Sequence, residues 1–522
     1  MFKYTLSLPK YKLRAYEIRL AIHELDGLFP EISEKKITNK FIEFETNKPL
    51  DEEKLKRLTF FSQVEFENLR ISKTKIIPNQ VLFEKLNSGN NQCLFDVDFA
   101  NTSREIRYLT HSFHEYKGRF YPQLVKSLIN YSGTKKGETL LDPFCGSGTS
   151  LVESFLCGLN AVGTDINPIA YLIAKSKIRS LRIEAKDLEK TIQQYAEFIG
   201  SNVDIDVKSF EHSLDIDYLQ NWFPLENLKK VLVLIGHIDK EVNDNIKLLL
   251  KVTLSNILRD VSYQDPTQLR IRRRKDEPRK NIFEEFNKNL YSNINVLRNF
   301  HNMNFEKPDT KIQNFLCDVK NLKSGTELEN NSIDLVVTSP PYATALPYID
   351  TDRISLFAFG YADSKDAFRQ LEKTMIGNRE ITPKEREQLE NEMVESFTNR
   401  VLPNDVTKLI EKIYFLNKNT DVGFRRKNTA CLLFKYFSDM KLALEQINQV
   451  LKSNRYVYMV VGNNRTTAGD ELIKIPTDEF IGITAEKVGF KFERKICLEV
   501  QKSYSIHSKN SINTESILVL RK

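Results

Sequence analysis

Cysteines are few and scattered. Cys93, Cys145, Cys157, Cys317, Cys431 and Cys497 form no C-x-x-C pair, and the seven histidines form no H-x-x-x-H pair. Zinc-ligand spacing and a disulfide framework are therefore not indicated, and no metal is expected. No apolar run is long enough to span a membrane. The start, MFKYTLSLPK, lacks the basic end, apolar run and small-residue cleavage site of a secretion signal, so the expected location is the cytoplasm. The glycine loop at Gly146 and Gly148 lacks a G-K-[ST] ending, which excludes a P-loop. It also lacks the third glycine of a dinucleotide fingerprint, so a nucleoside-type ligand without a pyrophosphate is expected. Internal repeats and low-complexity tails are absent.

What remains is the pattern of a globular chain. It has 522 residues, enough for two or three domains, with 41% hydrophobic and 28% charged residues. A formal net charge of +7 permits a polyanionic partner without demanding one. Residues 1–85 alternate strand and helix signals (FKYTLSL, YKLRAYEIRLAIHEL, NKFIEFETN, LDEEKLKRLTFF), which predicts a small α+β domain. LNSGNNQ then reads as a linker. Across 86–180, ETLLDPFCGSGTSLVESFLCGLNAVGTDINPIAYLIA carries strand, glycine loop, helix, strand, acidic turn and helix, a βαβ unit of a parallel sheet. Residues 181–310 are charged and helical in pattern and read as an insertion. Sheet signals return in 311–361, a second helical insertion covers 362–425, and strands resume in 426–522. The predicted fold is α/β, with a doubly wound Rossmann-like sheet, helical insertions and the α+β domain in front.

Three short stretches carry chemistry. In DPFCGSGT, Gly146 and Gly148 allow a tight turn and close approach of backbone to a ligand. In GTDINP, Asp165 ends the next strand, where an acid can accept from both ribose hydroxyls; the same position would also suit a helix N-cap. In TSPPY, two prolines must end a buried strand, because neither can donate to a sheet ladder. Ser339 and the local carbonyls offer acceptors, and Tyr342 offers a flat ring. Acceptors beside an aromatic plate can hold a planar base and take both hydrogens of its exocyclic amine. Stacking contributes about 1–3 kcal/mol, comparable to the few kcal/mol that extrusion of a base costs. A plain proline turn would look the same locally.

In this order the motifs resemble those of the S-adenosylmethionine-dependent amino methyltransferases of DNA, over roughly residues 108–522. The resemblance implies a class I methyltransferase sheet with S-adenosyl-L-methionine as cofactor. HSFHEYKGRFYPQLVKSLI is similar to the motif that closes over the methionine end, implying roles for His114, Lys117 and Phe120. The cofactor loop implies Asp142, Pro143, Phe144, Gly146, Gly148 and Thr149. GTDINP implies Asp165 and Ile166 at the ribose, and CDVKNL implies Asp318 and Val319 at the adenine. TSPPY implies Ser339, Pro340, Pro341 and Tyr342 as the catalytic loop, with direct in-line methyl transfer. The serine spelling leans toward N4 of cytosine, and N6-adenine enzymes more often carry Asp or Asn there. Cytosine-C5 enzymes need a cysteine after a proline, a pair missing from this chain.

The resemblance implies double-stranded DNA as partner, with a cognate restriction endonuclease as a candidate second one. QLRIRRRKDEPRK is the densest basic run. Arg270, Arg272, Arg273, Arg274 and Lys275, followed by Arg279 and Lys280, could track phosphates or lie on a solvated loop. Target recognition by the insertions is expected. The N-terminal unit is similar to that of some tRNA methyltransferases with an RNA-binding module. RNA therefore stays open as a substrate, as does a non-catalytic nucleic-acid-binding role.

Overall fold

The computed structural model describes residues 1–68, 74–86, 105–199, 214–268, 270–278, 280–303, 305–343, 349–378, 381–499 and 514–522. Most of the LNSGNNQ linker, Cys93 and Arg279 lie outside them. Among the described residues there are three sheets.

The N-terminal sheet contains β1 (Phe2–Ser7), β2 (Lys36–Ile37), β3 (Phe41–Thr46), β4 (Gln63–Glu67) and β5 (Thr74–Ile76), in the order β2-β3-β1-β4-β5 with antiparallel neighbours. Alternation sets its inner face: Tyr4 and Leu6 of β1 are buried. Tyr4 stacks between Phe44 and Phe66, each ring centroid 5.4 Å away. Its hydroxyl accepts from the Leu50 N–H at 2.9 Å, which satisfies the polar tip of a buried ring. β4 and β5 extend the strand–helix–strand–helix pattern anticipated above.

The main sheet contains β6 (Thr139–Asp142), β7 (Asn160–Asp165), β8 (Ile312–Leu316), β9 (Ile333–Thr338), β10 (Leu451–Gly462), β13 (Lys491–Glu499) and β14 (Thr514–Arg521). A short hairpin, β11 (Asn464–Ala468) with β12 (Glu471–Ile475), separates β10 from β13. The order is β13-β14-β10-β9-β6-β7-β8. The pairs from β8 through β10 are parallel, and β14 runs antiparallel to both its neighbours. This is a doubly wound, Rossmann-like α/β sheet. Its strand order reverses between β6 and β9, and ligands of such sheets sit in the crevice beyond the carboxyl ends there.

Both faces of the sheet are covered. Leu335, Val336 and Val337 are fully buried, with Leu335 and Val337 in one apolar core and Val336 in the other. A continuous apolar run is what a strand covered on both faces requires. Helices Pro122–Tyr131, Thr149–Leu156 and Pro168–Ser180 belong to the first core, and helices Thr429–Val450 and Thr477–Val488 to the second. The described helices within 181–310 do not hang off the body. Helix Asp244–Leu258 packs on Pro168–Ser180, and Leu249, Leu254, Leu297 and Phe300 are buried in the first core. Residues 362–425 likewise place Met393, Val406, Ile410 and Ile413 in the second core.

The N-terminal domain docks through helix Ala15–Leu28, which lies on Pro122–Tyr131. The approach is close: a Cβ at Gly27 would stand 2.3 Å from the Tyr131 carbonyl oxygen and 2.4 Å from that of Asn130. Alanine should gain about 1 kcal/mol of helix propensity there. A clash with backbone cannot relax by turning a side chain, so overpacking at about 1–3 kcal/mol wins. Gly27→Ala is therefore expected to lower the melting midpoint by several degrees. A variant melting at or above the parent temperature would show that the two helices do not meet this way.

Candidate active site

A cleft of about 350 Å³ opens at the carboxyl ends of β6 and β9. At one end it is lined by Pro143, Phe144, Asp165, Ile166, Cys317, Asp318 and Val319, and at the other by Ser339, Pro340, Pro341 and Tyr342. Phe120 lines it as well. The fold thus brings together four motifs separated by up to two hundred residues of chain.

Asp165 ends β7 with both oxygens engaged. Oδ2 accepts from the Gly146 N–H at 2.9 Å and Oδ1 from the Asn167 N–H at 2.8 Å. The N-cap of helix Pro168–Ser180 is Asn167, whose side chain accepts from the Ile169 N–H at 3.0 Å. Asp165 is therefore not the cap itself, and it lines the cleft. Burial pushes its carboxyl up to about 6, against the opposing pull of these N–H groups. Asp318 closes a turn and also lines the cleft. Its Oδ1 accepts from the Lys320 N–H at 3.0 Å. Lys320 Nζ lies 3.5 Å from Asp318 Oδ2, 3.3 Å from Asp439 Oδ1 and 3.5 Å from the Thr374 carbonyl oxygen.

Several expected cofactor residues stand behind the lining. Asp142 is buried and does not line the cleft. Its carboxylate accepts from the Ser150 hydroxyl, from the Thr338 hydroxyl at 2.6 Å and from the Phe144 N–H at 3.2 Å. Burial raises it to about 6. Gly146 (φ +49°) and Gly148 (φ +77°) take the left-handed conformation that the turn requires. A Cβ on Gly148 would also stand 2.7 Å from Ala174 Cβ, so this glycine lets helix Pro168–Ser180 approach. Among the described residues, Ser147 Oγ and Thr149 Oγ1 are buried without a hydrogen-bond partner. His114 turns away from the cleft: it is buried, with Nε2 3.0 Å from Ser255 Oγ. Burial, with Lys177 and Arg259 nearby, lowers its pKa to about 3. Lys117 is exposed and outside the lining. Tyr116, Arg119 and Tyr121, from the same stretch, line the cleft instead. Arg119 Nη1 donates to the His111 carbonyl at 2.7 Å.

The catalytic-loop candidate is held on both sides. Ser339 Oγ donates to the Val460 carbonyl at 3.2 Å, so its lone pairs remain as acceptors. The Tyr436 hydroxyl donates to the Pro341 carbonyl at 2.9 Å, and the Asn464 amide donates to that of Ala343. Among the described residues no hydrogen bond reaches the Pro340 carbonyl. The second helical stretch also reaches the cleft: Thr374, Met375 and Ile376 line it, and a Cβ on Gly377 would stand 2.9 Å from the Tyr342 carbonyl oxygen. Nothing local in KTMIGN signals this. Glu515, at the start of β14, is the other lining residue with no sequence signal.

The basic run is only partly available. Arg274 donates to the carbonyls of Gln264, Arg259 and Asp260 at 2.9–3.3 Å and is committed to its own loop. Arg273 lies over the Tyr263 ring, 4.0 Å from its centroid, and donates to the Asn221 carbonyl. Arg272 and Lys275 are exposed, and Arg270 is half-buried. The loop adjoins the segment after TSPPY, since Gln264 Nε2 donates to the Thr351 carbonyl at 3.1 Å.

The cleft fits S-adenosyl-L-methionine. Phe144, Ile166 and Val319 offer apolar walls for an adenine, Asp318 an acceptor for its amine, and Asp165 acceptors for two hydroxyls.

The chain is similar in sequence to several methyltransferases. Residues 112–209 match the family UPF0020, described as an RMKL-like methyltransferase domain. The type II methyltransferase M.MvaI of Kocuria varians is 28% identical over 440 residues, 80% of this chain and 90% of that protein. The type II methyltransferase M.BsoBI of Geobacillus stearothermophilus is 25% identical over 426 residues, 75% of this chain and 80% of that protein. A tRNA (guanine(10)-N2)-dimethyltransferase of Methanothermobacter thermautotrophicus is 46% identical over 52 residues, 10% of this chain and 16% of that protein. The chain is thus related to type II methyltransferases along most of its length and to tRNA methyltransferases over a short stretch.

A carboxyl raised to about 6 protonates as pH falls through that value, and a protonated Asp165 surrenders an acceptor. Affinity for S-adenosyl-L-methionine, measured by calorimetry, should be level near pH 7.5 and about tenfold weaker at pH 5. Asp165→Asn should bind weakly at both. If that variant keeps the parent's pH profile, the titrating group is Asp142 and Asp165 does not hold the ribose.

Proposed function

We propose that this chain is a DNA amino methyltransferase that transfers a methyl group to the exocyclic amine of a base drawn out of the helix, N4 of cytosine by preference. One observation carries the reading. The Ser339 hydroxyl donates its hydrogen bond to the Val460 carbonyl, and among the described residues no donor reaches the Pro340 carbonyl, so two acceptors line the cleft with the Tyr342 ring. An aryl amine is a weak nucleophile because its lone pair is shared with the ring. Two acceptors taking its hydrogens favour a pyramidal nitrogen and return that lone pair. S-adenosyl-L-methionine, held by Asp165, Asp318 and the walls between them, supplies an electrophilic methyl when bound. Tyr342 stacks the base, Ser339 and Pro340 orient the amine, and the rate comes from this positioning. The displaced proton passes to solvent. Duplex DNA and a cognate restriction endonuclease are the partners that go with this reading.

N6 of adenine is the alternative that differs least, since the same acceptors would serve either amine. RNA as substrate is favoured by a separate observation, the short match to a tRNA dimethyltransferase in a chain with an N-terminal α+β domain.

Incubation with labelled S-adenosyl-L-methionine and either duplex DNA or bulk tRNA, then nucleoside identification by mass spectrometry, decides among these. Label in N4-methylcytosine is expected. Label only in tRNA overturns the reading, and bound cofactor with no label favours a non-catalytic binding protein. Ser339→Ala and Tyr342→Ala should each lower turnover about 100-fold or more while cofactor affinity stays within about twofold. Full activity in either removes the loop from the mechanism.

Arg272→Ala and Lys275→Ala should each reduce the salt dependence of DNA binding by about one unit of slope. Arg274→Ala should instead lower the melting midpoint, because it strands three carbonyls. An unchanged salt slope in the first two places the DNA elsewhere.

A further inference from the structure

We infer that Glu515 is a positioning residue for the target base, acting by holding the Tyr342 ring; the inference rests on the proposed reading of the TSPPY loop. Both side chains line the cleft, and the Tyr342 hydroxyl donates to Glu515 Oε1. Among the described residues no lysine or arginine pairs with Glu515. An anionic acceptor makes a stronger bond to a phenol than a neutral one does.

The fold explains why a residue so late in the chain stands here. β14 is antiparallel to its neighbours, so its first residues arrive at the edge where the parallel strands end. Glu515 is paired with Gly462 of β10 on one side and Leu498 of β13 on the other. Ladders on both flanks fix its backbone. Alternation then sends the next residue to the opposite face, where the Ser516 hydroxyl donates to Asp478 Oδ2 at 2.8 Å. Glu515 is left facing the cleft, which Val460 also lines, and the Val460 carbonyl accepts the Ser339 hydrogen bond. The two side chains that would meet the base are therefore both tied to the β10–β14 pair.

A ring fixed at its hydroxyl stacks with less loss of freedom than one that must stop turning when the base arrives. It also fixes the plane in which the amine meets the Ser339 and Pro340 acceptors. Glutamine can still accept the phenol proton, whereas alanine cannot.

The test is a double-mutant cycle in single-turnover methyl transfer to long mixed-sequence duplex DNA, with cofactor affinity and melting midpoint measured alongside. Glu515→Ala and Tyr342→Phe should each slow transfer about tenfold, and the double variant no more than either alone. Glu515→Gln should stay within about threefold of the parent. Losses that multiply to about 100-fold, or a Glu515→Gln as slow as Glu515→Ala, overturn the inference. A second readout needs no substrate. In protein labelled with 3-fluorotyrosine, the fluorine resonance lost in Tyr342→Phe should shift in Glu515→Ala and hold its place in Glu515→Gln. No shift in Glu515→Ala also overturns it. Failure of the loop reading itself would look different: Tyr342→Ala would keep full activity.

Discussion

A single buried carboxylate joins the two halves of the cleft. Asp142 ends β6, and its oxygens accept from Ser150 in the helix after the glycine loop, from Phe144 within the loop, and from Thr338 at the end of β9. Thr338 directly precedes Ser339, so the glycine-loop side and the TSPPY side of the cleft are joined through one carboxylate. Burying a carboxylate is costly unless donors satisfy it, and these three do. The desolvation that remains shows in its pKa, raised to about 6. Loss of this group would leave two hydroxyls and an N–H unpaired and the two strand ends free to drift. Its place one layer behind the lining makes it a frame for both loops.

The rest of the cleft depends on elements that come from far along the chain. Asp165 pins Gly146, which sets the glycine loop against β7. Lys320 bridges Asp318 to Asp439 of the long helix and to the Thr374 carbonyl. Gly377 presses on the Tyr342 carbonyl, and Tyr436 and Asn464 hold the loop from the other side. The TSPPY loop is thus gripped by the second helical stretch, by the long helix and by the β11 strand. Two prolines stiffen it internally, and these contacts fix where the stiff piece sits. Catalysis by positioning asks for that rigidity, since an error of about 1 Å in placement is costly.

The helical stretches and the basic run show how one composition can serve different ends. Helix Asp244–Leu258 looked like part of an insertion because no sheet signal flanks it, yet it buries Leu249 and Leu254 in the first core. Arg274 and Arg272 are two residues apart in the same run. One is turned into three carbonyls of its own loop, and the other stands in solvent. Charge density along the chain cannot separate them, because guanidinium groups serve loop closure and phosphate binding equally well.

The sequence by itself determined the local pieces: strands ended by acids or prolines, a loop that only glycines can turn at Gly146 and Gly148, and the order of these motifs. From these the parallel sheet and the strand-end loops that line its crevice were legible, because each depends on near neighbours and on a strand end. Only the tertiary structure decided which side chains of a motif face the cleft. It put Tyr116, Arg119 and Tyr121 there in place of His114 and Lys117, and it set Asp142 behind the wall. It alone brought in Thr374, Met375, Ile376 and Glu515. The physical reason is that orientation about a strand or turn follows from packing on both faces, and contact between residues hundreds of positions apart follows from strand order. The antiparallel return of β14 is such a fact of order, and no residue in TESILVLR announces it.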